Sequence, residues 1–267
     1  MDLNTVGHYR PALSRADLTL APGERLLAGG TWLFSEPQDD VTGLVDLTTL
    51  GWAALEYTDD GLRIGATATI AELAQLPARP GWVAQPLFGQ CAGALLASWK
   101  IWNTATVGGN ICQSFAAASM VSLAVALDGV GLVWTPDGGQ YRVTVADLIT
   151  GNGTNSLAPG EVLRAVDLPV AALRARTAFR QIALSTLGRS GATLTGRTED
   201  DGTTVFAITA ATLRPTVLRY REPPDAATLR RDVDAVDGYY ADPLGAADWR
   251  RQVSGVLLEE IRRELLG

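Results

Sequence analysis

Two short stretches of this 267-residue chain carry adjacent glycines followed by a hydrogen-bonding residue. They are Leu27-Ala28-Gly29-Gly30-Thr31-Trp32-Leu33 and Ala105-Thr106-Val107-Gly108-Gly109-Asn110-Ile111-Cys112. Glycine has no Cβ and reaches positive φ at little cost, so such a backbone can approach a bulky ligand closely. Its N–H groups, turned outward near a helix start, suit a phosphate. One Gly-Gly pair alone reads as a turn. Two of them, each followed by Thr or Asn, suggest two lips of one diphosphate site. Other chemistry is scarce. His8 is the only histidine, and Cys91 and Cys112 are the only cysteines. That excludes a histidine metal site, Ser-His or Cys-His catalysis, a four-cysteine iron–sulfur cluster and a disulfide framework.

The bulk composition is that of a globular protein, with 47% hydrophobic and 19% charged residues, and the length allows one large domain or two modest ones. A formal net charge of −7 argues against a nucleic-acid partner, which would need clustered cations. The arginine pairs Arg230-Arg231, Arg250-Arg251 and Arg262-Arg263 have acidic neighbours and read as solvated helix faces. Met1-Asp2-Leu3-Asn4 has neither a basic nor an apolar region of the signal-peptide type, and the apolar runs are too short for a membrane span. The expected location is therefore the cytoplasm.

The elements that would position the two glycine segments follow from pattern. A turn at Ala21-Pro22-Gly23 precedes a short strand ending at Leu27. Strands are expected at Val41 to Leu47 and Leu62 to Ala66. Thr69 and Glu72 form a capping box for a helix from Ile70 to Leu76, stopped by Pro77 and Pro80. A buried helix from Leu87 to Lys100 leads to the second glycine segment, read as a loop, and a small-residue helix from Ala116 to Leu127 follows it, ended by Gly129. Val130 to Trp134 and Tyr141 to Val145 flank Pro136-Asp137-Gly138 as a hairpin. Gly151 to Ser156 is a polar loop, and a strand from Val162 to Leu168 stops at Pro169. Beyond a boundary near Pro169 to Arg174 the texture is antiparallel: Thr177 to Ala183, Ala192 to Gly196 and Val205 to Leu213. Two helices close the chain. The last carries a core stripe of Trp249, Val253, Val256, Leu257, Ile261 and Leu265.

Taken in order and spacing, several of these stretches resemble one family. They are Ala28-Gly29-Gly30-Thr31, Thr106 to Ile111, Thr135-Pro136-Asp137-Gly138, Leu157 to Leu163 before Leu168-Pro169, Ala178-Phe179-Arg180-Gln181, and Trp249-Arg250-Arg251 before the final helix. The family is the flavin-binding medium subunit of the molybdenum hydroxylases, carbon monoxide dehydrogenase-like and xanthine dehydrogenase-like. The resemblance implies an α+β fold: a two-subdomain FAD-binding domain of the PCMH/vanillyl-alcohol-oxidase kind over residues 1–169 (subdomains about 1–55 and 56–169), then a C-terminal antiparallel sheet with helices over 170–267.

It further implies FAD between the two subdomains, with both glycine segments (Leu27 to Leu33 and Ala105 to Asn110) donating N–H groups to its diphosphate. Thr31, Asn110 and Ser114 become candidates for phosphate or ribityl oxygens. Val162 and Leu163 match residues near the flavin or adenine, and Arg180 falls where relatives carry a Lys near the ring. No residue is expected to be catalytic by itself; the implied role is electron transfer, with FAD carrying the redox chemistry. Electrons would come from an iron–sulfur small subunit holding [2Fe-2S] clusters, downstream of a molybdenum large subunit holding molybdopterin, and leave to an external acceptor. The chain departs from the family at Ala116-Ala117-Ala118-Ser119, where relatives carry Pro-Ala-Ala-Asp: Ser119 replaces the anion and Phe115 precedes the run. Trp102 and Thr104 replace arginines in the lead-in, and Trp32 puts an indole beside the first segment. Two other readings remain open from the residues. One is a self-standing FAD oxidase or dehydrogenase, with Glu36, Asp39 and Arg180 as its acid–base candidates. The other is a structural subunit that has lost FAD.

Overall fold

The computed structural model describes residues 3–267 and contains three main sheets laid out in chain order. The first is small and parallel. β1 (His8–Pro11), β2 (Glu24–Leu27) and β3 (Gly43–Asp46) stand in the order β1-β3-β2. Four-residue strands leave little surface for a core, and Ala12, Leu18, Val45 and Leu47 close it only by packing on Val162 from a later strand.

The second sheet is antiparallel, ordered β4-β5-β10-β6-β7. Its strands are β4 (Leu55–Thr58), β5 (Gly61–Gly65), β6 (Val130–Trp134), β7 (Gln140–Thr144) and β10 (Val162–Pro169). Between β5 and β6 lie α1 (Ile70–Ala74), α2 (Pro86–Gly93), α3 (Trp99–Trp102), α4 (Val107–Gln113) and α5 (Ser119–Ala126). Leu62, Ile64, Val133, Leu163 and Val166 point from one face of the sheet into the core built with these helices. Thr69 accepts from Glu72 N and Glu72 answers to Thr69 N, the expected capping box. The helix expected over 87–100 is two helices. Ala94 caps α2, Leu96 turns at φ 44°, and Ser98 restarts the chain as the N-cap of α3. A β7-to-β10 connection holds α6 (Val145–Leu148), β8 (Ile149–Gly151) and β9 (Thr154–Asn155).

After α7 (Val170–Arg174) comes a meander of β11 (Arg176–Ile182), β12 (Ala192–Thr198), β13 (Thr204–Thr209) and β14 (Thr216–Tyr220), the last of which the sequence pattern had not suggested. It is covered by α8 (Ala226–Asp234) and α9 (Ala247–Leu266). The α9 stripe differs from expectation: Leu258, Ile261 and Leu265 are buried, whereas Val256 is exposed. Arg250 begins that buried row. It is fully buried and donates to the carbonyls of Gly191 and Ala210 and to Asp242, so it is a brace and not part of a solvated face. The meander also completes the central core through Ala207, Phe179 and Val217. Buried Arg197 of β12 reaches the Ala126 carbonyl and the Asp128 carboxylate at the end of α5. No helix among the described residues is long and apolar enough to cross a membrane.

Candidate functional site

The first glycine segment leaves β2 and turns at Gly30, φ 67°. A Cβ there would also lie 2.5 Å from the Phe34 ring, so Gly30 answers both a dihedral and a space requirement. The segment is held at its entry, where Leu27 O accepts from Leu47 N (2.8 Å), and at its exit, where Phe34 N donates to Gly30 O (2.8 Å) and Ser35 N to Trp32 O (2.9 Å). Among the described residues, the five successive N–H groups from Gly29 to Leu33 have no acceptor. Backbone donors are nearly always paired with protein or solvent, so a row of five is open to water or to an anion.

The second segment is built the opposite way. It is the first turn of α4, not a loop, because Thr106 sits extended before it as an N-cap and its Oγ1 accepts from Gly109 N (3.0 Å). Val107 N donates to Ala68 O (2.8 Å), Gly108 N to Ala66 O (2.9 Å) and Asn110 N to Thr106 O (2.9 Å). The expectation that Gly108 and Gly109 turn free N–H groups outward is therefore not met: all four donors are taken. Gly108 is required for approach. A Cβ on it would meet Ala66 Cβ at 2.5 Å and Ala66 O at 2.7 Å.

The fold brings the two segments into contact. A Cβ on Gly29 would lie 1.9 Å from Thr104 O and 3.0 Å from Ala105 Cα. Trp32 meets Phe115 edge-on, with ring centroids 4.6 Å apart. Phe115 belongs to the linker between α4 and α5, so the first segment touches both ends of α4. Across that linker, Asn110 Oδ1 accepts from Met120 N (2.9 Å), which caps α5 and leaves the Asn110 amide nitrogen without an acceptor among the described residues. The α5 helix begins at Ser119 and not at Ala116, with Ala118 as its buried N-cap. Ser119 is 1% exposed, and its Oγ has no hydrogen-bond partner among the described residues. An unpaired buried hydroxyl is costly unless something else meets it.

Other expected contacts lie elsewhere. Ser114 is fully buried at φ 55°; its Oγ donates to Ile111 O (3.0 Å) and Cys112 O (3.2 Å) and accepts from Asn155 Nδ2 (3.1 Å). It ties α4 to the Gly151–Ser156 loop, and its one O–H proton is already committed to these carbonyls rather than to a ligand oxygen. That loop, read from sequence as mere connection, is a brace: Asn152 Oδ1 also accepts from Ala116 N (3.0 Å). Val162 and Leu163 are both buried, Val162 in the core of the parallel sheet and Leu163 in the central core. They dock the two units together. Arg180 is committed to α9, donating to Glu260 (3.0 Å) and Glu264 (2.8 Å). Its neighbour Phe179 points into the central core, and strand side chains alternate, so Arg180 faces away from that core. Glu36 and Asp39 are exposed. Burial pushes the Cys112 thiol up to about 12 and raises Cys91 further, which leaves neither as a thiolate near neutral pH. At the start of β2, Glu24 is held at about 2, chiefly by hydrogen bonds from Arg10, then from Ala21 N and His8.

Residues 11–171 match the family model described as the FAD binding domain in molybdopterin dehydrogenase. The chain belongs to that family. Two Escherichia coli proteins that carry the name xanthine dehydrogenase FAD-binding subunit, from strains K12 and O157:H7, are 31% and 30% identical over 171 residues. The match covers 60% of this chain and 57% of each of those relatives. The fold is shared along nearly the whole chain with solved structures. Carbon monoxide dehydrogenase from Oligotropha carboxidovorans aligns with a TM-score of 0.83 at 22% identity, covering 98% of both chains. Quinoline 2-oxidoreductase from Pseudomonas putida 86 aligns with a TM-score of 0.80 at 18% identity over 100% of both. The segments of residues 27–33 and 105–110 both fall inside the FAD-binding domain so defined.

Proposed function

We propose that this chain is the FAD-binding electron-transfer subunit of a heterotrimeric molybdenum-containing hydroxylase or dehydrogenase, working in the cytoplasm. It would take electrons from an iron–sulfur subunit with [2Fe-2S] clusters, fed by a molybdenum subunit with molybdopterin, and pass them to an external acceptor. Support comes from the family and from the enzymes whose fold the chain shares. The observation that carries the cofactor reading is the row of unpaired N–H groups from Gly29 to Leu33, set against the backbone that leads into Gly108 and Gly109. A diphosphate is an acceptor-only group that such donors suit.

On this reading the two segments divide the work. Gly29, Gly30, Thr31, Trp32 and Leu33 donate to the diphosphate. Ala105, Thr106, Val107, Gly108 and Gly109 supply a close-packed floor without projecting side chains. The Asn110 amide nitrogen and the Ser119 hydroxyl, both unpartnered, donate to cofactor oxygens, and Ala28 and Ala118 keep the flanks small. Bound FAD supplies the redox chemistry, and the protein orients it and excludes water. Arg180, paired with Glu260 and Glu264 of α9, is not assigned to the cofactor on this reading.

The test is an FAD titration of the purified chain followed by flavin absorbance and fluorescence. Saturation at one FAD per chain is expected. A chain that stays colourless under all conditions overturns the cofactor reading, and a purified complex without molybdenum and iron overturns the heterotrimer.

A further inference from the structure

We propose that the outer face of the five-stranded sheet carries a second binding site, for a small oxyanion, centred on Arg164. Strand alternation sends Leu62 and Ile64 toward the helices and Arg63 to the opposite face. The register of β10 against β6 slips between Leu163 and Ala165, and this bulge aims Arg164 the same way. The face opens on a cavity of about 530 Å³ lined by Arg63, Leu132, Trp134, Tyr141, Arg142 and Arg164.

Its charges do not balance. Asp167 is shared by Arg63 (2.8 and 3.0 Å) and Arg142 (2.8 Å). Arg164 has only Glu56, 3.9 Å from Nη2, beyond hydrogen-bond distance. Three guanidiniums thus face two carboxylates, a local surplus of positive charge in a chain of net −7. Tyr141 is a neutral phenol that donates its hydroxyl to Glu161 (2.8 Å), a carboxylate outside the cavity lining. Arg15 lies over Trp134 (4.7 Å) and donates to the Thr135 carbonyl.

The Arg164 guanidinium is held in place by the Trp52 ring (4.4 Å) and the Trp134 ring (5.7 Å), and its Nη1 is shielded from solvent with no hydrogen-bond partner among the described residues. A fixed planar donor with an unmade bond and surplus charge matches phosphate or carboxylate, which accept such a fork. The indole of Trp134 and the side chain of Leu132 would flank an apolar body on the anion. This site is independent of the flavin reading.

The experiment titrates the full chain with inorganic phosphate, and separately with benzoate, at ionic strength held constant with potassium chloride. Tryptophan fluorescence and calorimetry report binding. A saturable response is expected, with whichever anion binds tighter naming the source as phosphate or carboxylate. Arg164→Met should weaken it at least tenfold with circular dichroism unchanged. Arg142→Gln, at a half-exposed position, should weaken it severalfold and serves if the first variant does not fold. An unsaturable response equal to that of chloride overturns the site. So does affinity unchanged in both variants, or displacement of phosphate by FAD.

Discussion

The two glycine segments share a sequence pattern and differ in almost every structural respect. The first is loosely tied, with five backbone donors unspent; the second is the opening turn of a helix with all four of its donors used, two on Thr106 and two on the Ala66–Ala68 backbone. What they have in common is steric. Each removes a side chain where another strand of backbone passes, Gly29 against Thr104 and Gly108 against Ala66. Glycine pairs of one appearance can therefore supply either hydrogen-bond donors or room, and the neighbour upstream decides which. An N-capping Thr before the second pair converts it to helix, whereas a strand end before the first leaves it open.

Substitutions can break this contrast. The largest effect is expected from Gly29→Val, whose Cβ would stand 1.9 Å from Thr104 O. It should abolish stoichiometric FAD uptake while the far-UV circular dichroism of the rest is kept; normal uptake would show that the two segments need not touch. Acid should separate the segments next. The Glu24 carboxylate, ordinarily near 4.5, titrates at about 2 when folded, so the stability it lends is complete above pH 4.5 and lost as pH falls toward 2. Glu24→Gln should lower the urea midpoint at pH 6 and leave it nearly unchanged at pH 2. The α4 helix has no carboxylate and escapes this loss.

Within the second segment, adjacent glycines should behave differently. Gly108→Ala presses on Ala66 backbone and should cost about 1–3 kcal/mol, as overpacking does. In Gly109→Ala, the helix preference for Ala of about 1 kcal/mol works against contact with Thr106 Oγ1 alone, 2.7 Å away. That change should stay within about 1 kcal/mol of neutral, read by thermal denaturation. The smallest effect on the stability of the FAD-free chain belongs to Ser119→Ala. Removing an unpaired hydroxyl should leave the FAD-free chain as stable or slightly more so, and weaken FAD binding by about 0.5–1.5 kcal/mol, the worth of one hydrogen bond. Unchanged FAD affinity would place the hydroxyl outside the cofactor site.

Local signals carried far in the sequence. The Thr69 and Glu72 capping box and the hairpin around Pro136-Asp137-Gly138 are present as the pattern implied, whereas β1, β4, β8, β9 and β14 are strands it did not suggest. The family was legible from ordered motifs. Tertiary partners were not. Arg180 is answered by Glu260 and Glu264, 80 or more residues away, and Arg250 by carbonyls of two separate loops. No periodicity encodes such distances. The break between α2 and α3 hid behind continuous apolar residues, because the positive φ of Leu96 leaves no mark in composition. Ser114 looked free in the sequence and is tied by Asn155.

The hydrogen bond from Ala210 N to Ala116 O (2.8 Å) has a consequence in time. The Ala116–Ala118 linker that precedes Ser119 is synthesised almost a hundred residues before its brace. Until β13 has left the ribosome and folded, the linker lacks that restraint, as the end of α5 lacks Arg197. A nascent chain halted before residue 210 would hold both glycine segments and still lack the Ala210 restraint on the linker between α4 and α5.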